Sequence, residues 1–355
     1  MALADSDEIT VDELQLAARN HGMPLEALRY PLTPVGLHYL LTHYDIPAVD
    51  TAAWRLHVGG HVEQERSLTL DELMARPRVR MPVTMECAGN GRARLSPRPV
   101  SQPWLLEAVG NAEWGGTPLR PLLEEAGMLD GAVDVLFTGL DRGWEADVEQ
   151  FYERSLSTAD ALHDDVLLAW ELNGVPLPPQ HGFPLRLVVP GWYGMASVKW
   201  LGRITVLERP YDGYQQQWGY RLRQAEDEEG DPVTRIRPRA LMVPPGVPDF
   251  MTRRRIVDVG RCVLEGRAWS GGDRVVAVEV STDGGSSWAG AELAQPPGPY
   301  AWAAWRFDWD AGTPGDYTLC CRARNDAGET QPLEPEWNLG GYANNAVQRV
   351  PVTIR

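Results

Sequence analysis

The sequence predicts an α+β region over roughly its first two thirds, followed by an all-β region. Three observations carry this. Helical and strand-like patterns alternate up to about residue 220, charge and proline then dominate from Arg221 to Phe250, and short strands with glycine and asparagine turns recur beyond. The division is placed at residue 235, giving units 1–235 and 236–355.

In the first unit, Thr69 and Glu72 have capping-box spacing ahead of Leu73 and Met74, which predicts a helix from Thr69. A second helix is expected from Thr117. Thr117 is its cap, Pro118 its first position, Leu119, Leu122, Leu123 and Ala126 its apolar stripe, and Gly127 its stop. Strands are expected over Val133 to Phe137, Val166 to Leu172 with a turn at Asn173-Gly174, Leu185 to Val189, and Val198 to Val206.

The acidic run Glu226 to Glu229 and prolines 232, 238, 244, 245 and 248 obstruct regular structure, so 221–250 reads as a connector. Beyond it, Val275 to Ser281, Trp302 to Trp309, Tyr317 to Arg324 and Val347 to Ile354 read as strands of a β-sandwich, with turns at Asp283-Gly284-Gly285 and Asn325 to Gly328. Tryptophans 269, 288, 302, 305, 309 and 337 lie in this last third, where large flat side chains fill a core or a subunit interface.

The 355 residues suit two domains, and 43% hydrophobic with 23% charged residues is a folded-protein composition. With 49 acidic against 33 basic residues the formal charge is −16, which repels nucleic acid and anionic membranes, although a local group of arginines can still draw a small anion. Four cysteines, two adjacent at 320 and 321, do not form a disulfide framework. Met1 to Glu8 has no basic start and no apolar core, and no apolar run approaches the roughly 18 residues of a membrane span. A cytoplasmic location is expected, or a periplasmic one if a leader has been removed.

Chemistry concentrates in Thr84-Met85-Glu86-Cys87-Ala88-Gly89-Asn90-Gly91-Arg92, where glycines and an asparagine permit a tight turn that presents the Cys87 sulfur. Arg92 lies near enough in sequence to lower that thiol's pKa and attract an anion. The pattern suits a metal thiolate or a nucleophile with His43 or His181 as base, and it equally suits a small buried apolar cysteine. Paired zinc ligands, GxGxxG and GxxxxGK[ST] are absent from the sequence. His181, Arg186, Ser197 and Lys199 gather around two expected strands, a donor set that converges on a polyanion.

Cys-Ala-Gly-Asn at 87–90, His-Gly-Phe-Pro-Leu-Arg at 181–186, Val-Lys-Trp-Leu-Gly-Arg at 198–203 and Trp-Asn-Leu at 337–339 together resemble the sulfite oxidase family of molybdenum enzymes. The resemblance implies a molybdopterin-binding domain with one molybdenum per chain, followed by an immunoglobulin-like domain that forms a homodimer. It implies Cys87 as the metal's thiolate ligand, a soft donor, and Tyr220 and Arg92 as active-site residues. His43, Asp141, His181, Arg186, Ser197, Val198 and Lys199 match the positions that hold the pterin and its phosphate.

The implied reaction is oxygen-atom transfer, by default sulfite to sulfate. The alternatives are reduction of nitrate or of an S- or N-oxide at the same site, or a catalytically idle scaffold. No cytochrome-type haem segment precedes residue 39, so a separate electron acceptor or donor is expected and no haem. Two positions depart from the family pattern: Leu41 and Gly340 stand where arginines are expected. Each charge-assisted contact contributes about 1.5–3 kcal/mol to oxyanion binding, so their loss weakens a dianion unless Arg237 or Arg239 compensates.

Overall fold

The computed structural model describes residues 3–4 and 8–355. The N-terminal part is built on two five-stranded sheets. The first runs Val175–Pro176, Leu167–Leu172, Val109–Pro118, Val79–Glu86, all antiparallel, and Arg186–Val188 also pairs with Leu167–Leu172. The second runs Arg66–Leu68, Leu56–Gly60, Leu201–Leu207, Asp134–Glu145, Val148–Ser157, with Leu201–Leu207 parallel to Leu56–Gly60. Mixed helix and strand is therefore the architecture here. The helices are short because they close gaps between strands and form no layer of their own.

The helix Leu70–Met74 opens on the expected capping box, Thr69 accepting from Glu72 N–H while the Glu72 carboxylate accepts from Thr69 N–H. The next begins later than the sequence predicts. Thr117 and Pro118 remain in the strand Val109–Pro118, so the helix is Arg120–Ala126 with Leu119 at its N-cap and no side-chain cap. Pairing with Leu167–Leu172 holds that strand straight through the expected cap. Gly127 does stop the helix, at φ +67°. Leu122, Leu123 and Ala126 pack on Val58, Phe137 and Ile204, as the apolar stripe requires.

The C-terminal part has a four-stranded sheet, Arg239–Met242, Gly260–Trp269, Ala303–Ala311, Glu292–Leu293, and a six-stranded sheet, Val247–Pro248, Arg255–Val257, Gln348–Ile354, Gly315–Asn325, Val275–Ser281, Ala289–Gly290. Leu264, Trp305 and Trp309 from the first meet Val280, Leu319 and Val352 from the second in one apolar core. The connector expected over 221–250 needs correction, because Arg239–Met242 is a wholly buried strand paired with Gly260–Trp269. Pro238, Pro244 and Pro245 flank this strand without interrupting it, so none removes a ladder hydrogen bond.

Trp269, Trp302, Trp305 and Trp309 are buried, and Trp288 and Trp337 half-buried. Trp269 and Trp302 share a core with Ala88 and Tyr220 of the N-terminal part. The C-terminal sheets thus help to support the turn that carries Cys87.

Candidate active site

The strand Val79–Glu86 is partly exposed at its start and buried over its last four residues, and it delivers the chain to Cys87 at the end of a sheet. The turn after it is closed by Asn90 N–H to Cys87 O at 3.0 Å and Arg92 N–H to Gly89 O at 3.0 Å. The Asn90 amide adds bonds to Glu86 Oε1 (3.0 Å) and Leu106 O (3.1 Å). Gly91 takes φ +92°, and Asn344 from the C-terminal part donates to its carbonyl at 2.8 Å.

Cys87 stands at the junction of two cavities. The inner one, a cavity of about 70 Å³, is lined by His181, Arg186, Ser197, Lys199 and Asp141, among others. The outer cleft, about 640 Å³, includes Arg92, Trp104, Glu145, Trp218 and Tyr342. Leu41, His43, Cys87 and Tyr220 line both. Tyr220 holds φ +50°, a left-handed conformation that a bulky residue adopts only where its surroundings enforce it.

The inner cavity is rich in buried cations. The Arg186 guanidinium donates to the carbonyls of His181 and Ser197, each at 3.0 Å, and stacks 4.7 Å over Trp114. Burial lowers its pKa to about 10. The Lys199 ammonium donates to Leu41 O (2.7 Å) and Gln180 O (3.2 Å), and burial, reinforced by Arg186, lowers its pKa. Neither cation has a carboxylate within ion-pair distance among the described residues. The Ser197 hydroxyl accepts from Val189 N–H at 3.1 Å.

Asp141 is buried with Oδ1 unpartnered, and burial raises its carboxyl pKa against the opposing charges of Lys199 and His43. His43 is half-buried, its Nε2 3.3 Å from Glu145 Oε2. Val198 lines neither cavity; its side chain is in the core and its carbonyl accepts from Leu187 N–H at 2.8 Å. Arg92 lies on the outer cleft, donating to Gly340 O (3.1 Å) and Ser101 Oγ (2.8 Å).

Neither of the suggested substitute cations reaches the cleft lining. Arg237 pairs with Glu336 at 2.8 Å, and Arg239 is buried against Glu86 at 3.0 Å. Tyr342 occupies the space beside Gly340, since a Cβ at that glycine would lie 2.3 Å from the Tyr342 ring.

Sequence reading missed several groups that the fold brings here. His38 is buried on the inner cavity with Nε2 unpartnered, edge-on to His181 at 5.6 Å, and burial pushes its pKa down to about 4. Glu145, Tyr44 and Gln215 form a network with His43, in which Tyr44 OH donates to Glu145 at 2.8 Å. No spacing in the sequence joins these residues; only the fold does.

The donor set fits an anionic heterocyclic cofactor. Arg186, Lys199, His181 and the Ser197 hydroxyl can receive a phosphate, and the unpartnered Asp141 oxygen can accept from a ring amino group. Among the described residues no group of three or more His, Cys, Asp or Glu side chains is placed to hold a metal. A metal beside Cys87 must therefore bring its other ligands with it, as a pterin dithiolate does.

This architecture and site define a molybdopterin-dependent oxidoreductase. Residues 43–215 match the family model for an oxidoreductase molybdopterin binding domain, and residues 248–355 that for a Mo-co oxidoreductase dimerisation domain. Sulfite oxidase of Gallus gallus is 38% identical over 90% of this chain and 72% of its own. Mitochondrial sulfite oxidase of Homo sapiens is 34% identical over 91% of this chain and 62% of its own, and NADH nitrate reductase 1 of Oryza sativa subsp. japonica is 31% identical over 91% and 38%. The chain thus spans less than two thirds of the length of these two relatives. The crystal structure of the sulfane dehydrogenase SoxCD from Paracoccus pantotrophus matches with a TM-score of 0.80 at 26% identity, over 94% of this chain and 86% of that one. The chain belongs to the sulfite oxidase family of molybdenum enzymes.

Proposed function

We propose that the chain catalyses two-electron oxygen-atom transfer to the sulfur of a small oxyanion, with sulfite to sulfate as the default reaction. The observation that carries this is Cys87 at the seam between a cation-lined inner cavity and an open outer cleft. Cys87 serves as the metal's thiolate ligand, and His43, Asp141, His181, Arg186, Ser197 and Lys199 hold the pterin and its phosphate, while Val198, expected among them, supports the strand Arg186–Val188 from the core. The bound cofactor supplies the oxygen-atom and electron chemistry; the protein supplies orientation and electrostatics.

On the substrate side, Arg92 draws the anion toward Cys87 and the Tyr220 hydroxyl hydrogen-bonds beside the reacting oxygen. Tyr220 is fixed for this by its enforced backbone and by Arg154, whose guanidinium lies 5.5 Å over its ring. Electrons leave to a separate acceptor. Units 1–235 and 236–355 act as catalytic and immunoglobulin-like dimerisation domains, the latter joining two copies of the chain.

Expression in a host that makes the cofactor should give about one molybdenum per chain and sulfite-dependent reduction of ferricyanide. Absence of molybdenum sinks the reading in favour of a scaffold. Leu41 and Gly340 favour a second reading, reduction of a neutral S- or N-oxide or of nitrate, because such substrates need fewer cations. Oxidation of a reduced viologen by those oxides, without sulfite turnover, selects it.

A further inference from the structure

The outer cleft is larger and more aromatic than a lone inorganic oxyanion requires. Trp104, Trp144, Trp218, Tyr214 and Tyr342 all line it, and Leu41 makes its wall beside Cys87 apolar. The Tyr342 ring lies 5.1 Å from the Tyr220 ring, with the Arg92 guanidinium 5.0 Å over it, so these side chains form a buttressed wall. Gly340 preserves that wall, because any side chain there displaces Tyr342.

The charged side chains that line the cleft are Arg92, Arg221 and Arg223 with Glu145 and Glu226. The Arg92 guanidinium packs over Gly89, two residues from Cys87, where a Cβ would sit 2.9 Å from Cζ and Nη2. Nε and Nη1 are occupied by Gly340 and Ser101, which leaves Nη2 without a protein acceptor among the described residues. Arg221 is held by Glu229 at 3.0 Å, and Arg223 donates to the Trp218 carbonyl. The Glu145 carboxylate also lines the cleft and opposes a second negative charge. The free guanidinium edge of Arg92, packed on the turn that carries Cys87 and set beside an aromatic wall, recognises a single anionic group carrying an apolar substituent.

We infer that the substrate class is an organic sulfinate, R–SO₂⁻, with its oxygens on Arg92 and its R group against Tyr342. This rests on the oxygen-transfer reading above. The sulfur keeps the lone pair that the reaction uses, and R replaces one charged oxygen of sulfite. The balance is R–SO₂⁻ + H₂O → R–SO₃⁻ + 2 H⁺ + 2 e⁻. One S–O bond forms, two O–H bonds of water break, the sulfur is oxidised, the protons pass to solvent and a one-electron acceptor is reduced twice.

The test uses the full chain loaded with molybdenum, ferricyanide as acceptor, and benzenesulfinate, methanesulfinate and sulfite as substrates. Benzenesulfinate should exceed both others at least tenfold in kcat/KM, and Tyr342→Ala should remove most of the phenyl preference over methyl. Calorimetry gives a second readout: benzenesulfonate should bind at least tenfold more tightly than sulfate, and Arg92→Met should abolish the binding. Sulfite turnover without benzenesulfinate turnover overturns the substrate class and leaves the oxygen-transfer reading standing. Failure of all three substrates overturns that reading and the substrate class with it, and benzenesulfonate binding no tighter than sulfate overturns the class by itself. If Tyr342→Ala does not fold, the substrate series and calorimetry on the unaltered chain decide in the same way.

Discussion

Arg239 and Glu86 form a buried ion pair, Nε to Oε1 at 3.0 Å with both side chains 1% exposed, immediately before Cys87. The contact is between charges and not an aligned hydrogen bond, since the Arg239 Nε–H finds no acceptor in line. Glu86 is further held by the Trp269 indole at 2.8 Å and the Asn90 amide at 3.0 Å. A strand of the C-terminal part thereby fixes the residue that precedes Cys87.

Removing one partner leaves a charge buried without compensation. Arg239→Met should lower the unfolding free energy by about 3–5 kcal/mol, measured by denaturant titration. The Glu86→Gln and Arg239→Met double variant should lose much less than the sum of the single losses. Strict additivity would show that the pair does not act as a unit.

Cys87→Ser keeps the shape of the turn but replaces a soft donor with a hard one. Turnover should be abolished while the circular-dichroism spectrum and the elution volume of the protein stay unchanged. Undiminished turnover would show that the thiolate is not the ligand.

Much of this site was legible in sequence because its signals are local. The Thr69 capping box needs only residues three positions apart, and the Cys87 turn carries its own glycines and asparagine. What was not legible depends on distance. Glu86 ends a strand whose outer half is partly exposed, and Arg239 lies in a proline-rich run, so neither looks buried until the two parts meet. His38 joins the site through a segment without strand or helix periodicity, and Glu145 and Gln215 reach His43 from 102 and 172 positions away. The helix start was misplaced at Thr117 because sheet pairing, a nonlocal effect, outweighed a local cap signal.

Gly139 is required by Asp141. A Cβ at position 139 would lie 2.4 Å from Asp141 Oδ1 and 2.8 Å from the Lys199 carbonyl, so Gly139→Ala must displace the Asp141 carboxylate or the Lys199 backbone by about 1 Å. A displacement of that size costs about 10²-fold in catalysis, and molybdenum content should fall with it. Gly36→Ala, at a glycine with open space around it, is the control and should change neither. Equal behaviour of the two variants, in metal analysis and turnover, would remove Asp141 from the site.

The buried histidines give the cofactor-free protein a defined pH dependence. Burial lowers the pKa of His38 from 6.5 to about 4 and that of His181 to about 2, with neighbouring cations adding to the second shift. In the unfolded chain both titrate near 6.5, so below that pH the unfolded state binds more protons than the folded one. Their contribution to stability is therefore present above about pH 6.5 and is lost as pH falls, until His38 itself protonates in the fold near pH 4. Each histidine contributes a slope of about 1.4 kcal/mol per pH unit in that window. His38→Gln removes one of the two slopes, so the loss of unfolding free energy between about pH 7 and about pH 5 should shrink by about 2 kcal/mol. Denaturant titrations at the two pH values measure this, and an unchanged loss in the variant would mean that His38 is not held neutral by burial.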